Sequence, residues 1–73
     1  MDPAFPARLR SLRRGAGLTQ RQLASRVGVH PVLLSQWETG RCDPPFRRKL
    51  ELARELGVSS SDVLGTPEMT VRR

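Results

Sequence analysis

Glycine and proline interrupt this chain too often for long secondary structure. They fall at Gly15 and Gly17, Gly28, Gly40, Pro44 and Pro45, and Gly57. Between them, apolar residues recur every three or four positions, the spacing of one face of a helix. Alternating apolar and polar runs are nearly absent, there is no tyrosine, and β-branched residues are scattered. The pattern predicts an all-α fold, a compact bundle of five short helices. At 73 residues the chain is one domain, and a chain this short buries only about 60% of the surface its unfolded form exposes. Cys42 is the single cysteine, which excludes an internal disulfide framework and any cysteine-based zinc site. Stability must therefore come from efficient helix packing or from dimerisation.

The local signals place each helix. Residues 1–5 read as an N-terminal arm. Pro6 suits a first helical turn, where a missing N–H costs nothing, and a helix is predicted from there to Arg14, with Leu9 and Leu12 on one face. Thr19 and Gln22 form a capping-box pattern that opens a second helix, with Leu18 and Leu23 placed as a hydrophobic staple. Gly28 ends that helix through a left-handed residue. His30 is held extended by Pro31, which fits the first position of a third helix running to Glu38, and Gly40 stops it. Leu34 and Trp37 mark its inner face, and Val32, Leu33, Ser35 and Gln36 its outer one. A fourth helix is predicted from Pro45 to Leu56, with Phe46, Leu50, Ala53 and Leu56 as its apolar stripe. Ser59 and Asp62 then resemble a second capping box before a short fifth helix through Val63 and Leu64. The domain proper is read as residues 6–65, and 66–73 as a tail.

Charge narrows the function. Thirteen basic residues, twelve of them arginine, oppose seven acids, for a net charge of +6. That is large for a small domain and points to a polyanionic partner. Arginine offers paired donors suited to phosphate and guanine edges, although a GC-rich genome also produces such a bias. The excess is one-sided: residues 1–27 carry +5, residues 28–49 carry +2 and residues 50–73 carry −1. No apolar run is long enough to span a membrane. Met1 to Phe5 has neither a basic head nor a long apolar stretch, so it is not a secretory signal, and the cytoplasm is the expected compartment. No Gly-rich phosphate loop, Ser/His/Asp set or paired carboxylates suggest an enzyme. One histidine, His30, without a cysteine pair makes no metal site, and no cofactor is expected.

Thr19 to Glu38 thus holds two helices of about eight residues joined by the Gly28-Val29-His30 corner, the arrangement of a helix-turn-helix. At this point the chain resembles the phage-repressor and Cro-like (XRE-type) helix-turn-helix family. The matching residues are Leu18-Thr19-Gln20, Leu23-Ala24, Gly28-Val29, Leu34-Ser35-Gln36-Trp37-Glu38 and Gly40-Arg41. Leu52-Ala53, Leu56-Gly57-Val58-Ser59 and Val63-Leu64 continue the pattern, so it covers roughly residues 6–65. The resemblance implies a lambda-repressor-like domain whose third helix enters the major groove of double-stranded DNA. It places base contacts at Pro31, Val32 and Gln36, with His30, Leu33 and Ser35 flanking them. It implies phosphate contact at Gln20, with Arg21 beside it, and backbone contact at Thr39 and Arg41, just past the third helix. The chain departs from the commoner pattern at Pro31 and Val32, where many relatives carry polar residues. Val32 can read a thymine methyl by contact, and Gln36, with a donor and an acceptor, suits adenine.

The leading expectation is a sequence-specific transcriptional regulator acting as a repressor, a homodimer on a two-fold operator. In the family the dimer contact is often built from the fifth helix and the segment after it. Two alternatives stand beside it: the antitoxin of a toxin–antitoxin pair, which binds a protein as well as DNA, and a protein-interaction module that keeps the fold without reading DNA. The chain is also compatible with being one domain cut from a longer protein. Individual residues carry simpler expectations. Trp37 belongs with Leu34 in the core, Glu38 pairs with Arg41 or Arg26, His30 is a cap residue, and Cys42 is a loop thiol.

Overall fold

A computed structural model describes residues 2–65. Five helices follow one another: α1 (Phe5–Gly15), α2 (Gln20–Val27), α3 (Pro31–Thr39), α4 (Phe46–Leu56) and α5 (Ser60–Leu64). No strand occurs among the described residues. The all-α, five-helix reading of the sequence therefore holds.

The caps are those the sequence dictates. Thr19 Oγ1 accepts from Gln22 N at 3.0 Å, and Gln22 Oε1 accepts from Thr19 N at 2.9 Å. Ser59 and Asp62 repeat the box at α5. The imidazole Nδ1 of His30 accepts from Val32 N at 3.1 Å, which makes His30 the N-cap of α3. Gly28 ends α2 at φ 81°, a left-handed conformation that a side chain would strain. That lets the chain turn and restart within three residues. Gly40 ends α3 in the same way, at φ 81°.

One core unites the helices. Phe5 and Leu9 of α1, Leu23, Ala24 and Val27 of α2, Leu34 and Trp37 of α3, Leu52, Ala53 and Leu56 of α4, and Val63 of α5 are buried together. Leu18, the outer half of the expected staple at α2, packs half-buried against this core, as does Val29 just before His30. α3 rests on α1 and α2, while α4 packs against α2 and α5. The Arg8 side chain ties α5 back to α1, donating from Nε to the carbonyl of Val63 at 3.0 Å and pairing with Asp2.

Two local expectations are corrected. Phe5 is not part of an arm: it opens α1 and is buried. The expected apolar stripe of α4 is half right: Ala53 and Leu56 are buried, Phe46 and Leu50 are not. Phe46 is 62% and Leu50 40% exposed, whereas Leu52 is fully buried. A helix turns about 100° per residue, so a packed face centred between Leu52 and Ala53 leaves Leu50 about 110° away. Phe46 lies nearer that face but at the helix end, beyond its neighbours. The expected tail, 66–73, lies outside the described residues.

Candidate nucleic-acid interface

The start of the two-helix unit is locked to α1 by a buried ionic cluster. Glu38, at the end of α3, is 1% exposed and Arg13 of α1 8%. Arg13 grips the carboxylate with two donors, Nε to Oε2 at 2.7 Å and Nη2 to Oε1 at 3.1 Å. Its third donor, Nη1, reaches the carbonyl of Leu18 at 2.9 Å, just before the cap of α2. Gln20 Nε2 donates to Glu38 Oε1 at 3.0 Å, and Arg10 Nη2 donates to the carbonyl of Glu38 at 3.3 Å. The expected partners of Glu38, Arg41 and Arg26, do not pair with it. Its actual partner is 25 residues away in sequence, so only the packing of α3 on α1 brings the two together.

Around this cluster lies an open cleft lined by Arg10, Arg13, Arg14, Thr19, Gln20, Arg21, His30 and Pro31. It brings together residues from three elements: the C-terminal half of α1 and the starts of α2 and α3. The capping hydroxyl of Thr19 satisfies Gln22 N, so the N–H groups of Gln20 and Arg21 face outward from the α2 N-terminus, where helix geometry and dipole favour an anion. Arg10 and Arg14 enlarge the basic lining beyond the residues singled out from sequence. Their signal was present in the arginine density of α1, but not the direction in which they point.

A second, smaller groove runs along α3. Val32, Ser35, Gln36, Thr39 and Arg41 line it. Val32 is 57% exposed, while Ser35 and Gln36 are half-buried. Thr39 and Arg41 are exposed, and Thr39 Oγ1 donates to the carbonyl of Ser35 at 3.0 Å. Leu33, expected as a flank, instead packs half-buried against the core. Pro31 belongs to the basic cleft and adjoins Val32, so the cleft and the groove meet at the start of α3. Of the ten residues singled out from sequence, nine therefore line one of these two depressions, and Leu33 lines neither. Trp37 is buried beneath α3, 2% exposed.

Among the described residues, no group of three or more His, Cys, Asp and Glu side chains is placed to hold a metal ion, and no helix is long and apolar enough to cross a membrane.

Comparison with known proteins fits this geometry. Residues 4–64 match the family model described as a helix-turn-helix domain. An uncharacterized HTH-type transcriptional regulator, y4dJ of Sinorhizobium fredii, is 39% identical over 59 residues, covering 81% of this chain and 77% of its own. Multiprotein-bridging factor 1 of Eremothecium gossypii is 31% identical over 58 residues, covering 80% of this chain and 38% of its own length. The crystal structure of the clp gene regulator ClgR from Corynebacterium glutamicum superimposes with a TM-score of 0.80 at 39% identity. That match covers 84% of this chain and 65% of the ClgR chain.

Proposed function

Because the chain belongs to the XRE-like helix-turn-helix family of DNA-binding transcriptional regulators, we propose that it reads a specific DNA site with α3 in the major groove and represses transcription by occupying that site. The observation that carries this reading is the groove along α3, where Val32 and Gln36 sit one helical turn apart beside Arg41. A major groove about 12 Å wide admits one helix, and its base edges carry a distinct donor and acceptor code.

In this reading Gln36 reads adenine and Val32 a neighbouring thymine methyl. Pro31 contacts the base edge by shape alone, and Ser35 and His30 flank the readers. Gln20, Arg21, Thr39 and Arg41 hold phosphates, joined by Arg10 and Arg14 from the basic cleft. The clamp between Glu38, Arg13 and Gln20 fixes the phosphate side of the site relative to α3, so the backbone contacts set the register in which the bases are read. One domain covers a short half-site, so the working form is a homodimer on half-sites about 34 Å apart.

The test is selection of bound sequences from a random DNA library, with the stoichiometry of the complex measured alongside. The expected result is a two-fold symmetric site with an A·T pair whose preference falls by about 1–3 kcal/mol in Gln36→Ala. A uniform loss over all sequences in that variant would make Gln36 a phosphate contact. A second reading, an antitoxin that binds a protein as well as DNA, is favoured by Phe46 and Leu50, which stand exposed on α4 away from the groove residues. No DNA selected above background would instead favour a protein-interaction module that keeps the fold without reading DNA.

A further inference from the structure

The chain that leaves α3 folds back over one residue. The N–H groups of Gly40, Arg41 and Cys42 all donate to the main-chain carbonyl of Gln36, Arg41 at 2.9 Å and Cys42 at 3.4 Å. The Cys42 thiol then turns to the side chain of the same residue, with Sγ donating to Gln36 Oε1 at 3.8 Å. Cys42 is not a loosely held loop thiol: it is half-buried and packs against the hydrophobic core. Gln36 is half-buried as well.

We infer that Cys42 is a positioning residue for base readout: by holding Oε1 of Gln36, its thiol turns the Nε2 donor end of the amide toward the groove. This rests on the reading in which Gln36 contacts a base. An unanchored glutamine amide can rotate by half a turn and offer either its donor or its acceptor first. Anchored at Oε1, Gln36 leads with its N–H groups. It therefore favours a base with an acceptor on its major-groove edge, such as the N7 of a purine. The remaining lone pair of Oε1 stays available to the adenine amino group, so the anchor and the adenine preference are compatible. Losing the anchor frees the amide to flip and accept from cytosine, so discrimination weakens while affinity for phosphate does not.

The test uses the full chain and a site it selects from a random library. Relative affinities are measured for four duplexes that differ only at the Gln36 base pair, for the unaltered protein, Gln36→Ala, Cys42→Ala, Cys42→Ser and the double Gln36→Ala/Cys42→Ala. Cys42→Ala is expected to reduce the preference for the selected base by about two- to fivefold, with non-specific binding unchanged. Cys42→Ser keeps a donor on a shorter bond, and its preference is expected to fall between those of Cys42→Ala and the unaltered protein. Cys42→Ala adds nothing in the Gln36→Ala background. Without DNA, the side-chain amide resonances of Gln36, but not of Gln22, shift in Cys42→Ala. Unchanged base ratios in Cys42→Ala, where Gln36→Ala flattens them, overturn the inference and leave the reading of Gln36 standing. Unchanged ratios in Gln36→Ala overturn both.

Discussion

Replacing Arg13 by alanine removes the centre of the cluster that joins α1 to the two-helix unit. The Glu38 side chain is wholly shielded from water. It loses two of its three close donors, Arg13 Nε and Nη2, and keeps Gln20 Nε2 at 3.0 Å, with Arg10 Nε at 3.9 Å. The carbonyl of Leu18 loses its donor at the same time. Breaking a buried pair from one side costs about 3–5 kcal/mol, because a charge is left in a low-dielectric site. A domain this small sits near the lower end of the usual 5–15 kcal/mol range of total stability, so Arg13→Ala keeps about 0–2 kcal/mol and a measurable unfolded fraction at physiological temperature. Each kcal/mol moves the midpoint of a domain this size by about 4–8 °C, so a fall of more than 10 °C is expected. Urea unfolding followed by Trp37 fluorescence measures the free-energy loss, and thermal unfolding followed by circular dichroism measures the fall in midpoint. Removing both charges, as Arg13→Met with Glu38→Leu, should recover most of the loss, since the desolvation cost goes with them. A single variant within about 1 kcal/mol of the unaltered protein, or a double variant as unstable as the single one, would refute the reasoning.

Three further outcomes follow from the packing and the charge. Arg14→Ala and Arg41→Ala should each weaken all DNA sequences alike and flatten the plot of log affinity against log salt by about 0.9, one phosphate apiece; an unchanged slope removes that residue from the interface. Trp37→Ala should cost about 3–5 kcal/mol, and in the unaltered protein a fluorescence maximum typical of full water exposure would contradict its burial. Leu52→Ala should cost about 2–5 kcal/mol whereas Leu50→Ser stays within about 0.5 kcal/mol; equal losses would contradict the phase assigned to α4.

The residues that announce this fold are those whose preferences act locally. Thr19 with Gln22, Ser59 with Asp62, Pro31 after His30, and Gly28 and Gly40 each fix a helix end through bonds spanning a few residues, so the helix-turn-helix is legible from spacing. The phase of α4 was not, because Phe46 and Leu50 are as apolar as Leu52, and only the position of α2 and α5 decides which of them is covered. Glu38 has basic residues near it in sequence, but a buried carboxylate takes the partner that packing supplies, and that is Arg13. Cys42 gave no signal of its own. Its bond to Gln36 exists because Gly40 turns the chain back over α3. Val32 and Gln36 were legible as exposed positions of a periodic helix, and Arg10 and Arg14 as charge without direction.

The central claim, that α3 and the starts of α2 and α3 meet DNA, is tested most directly by titrating the isotope-labelled protein with its selected duplex and following every backbone amide by NMR. The account predicts that the largest shifts fall on Gln20, Arg21, Val32 to Gln36 and Arg41, while Leu50 and Arg54 on the exposed side of α4 stay unmoved. Shifts centred on α4, with Val32 and Gln36 unmoved, would contradict it.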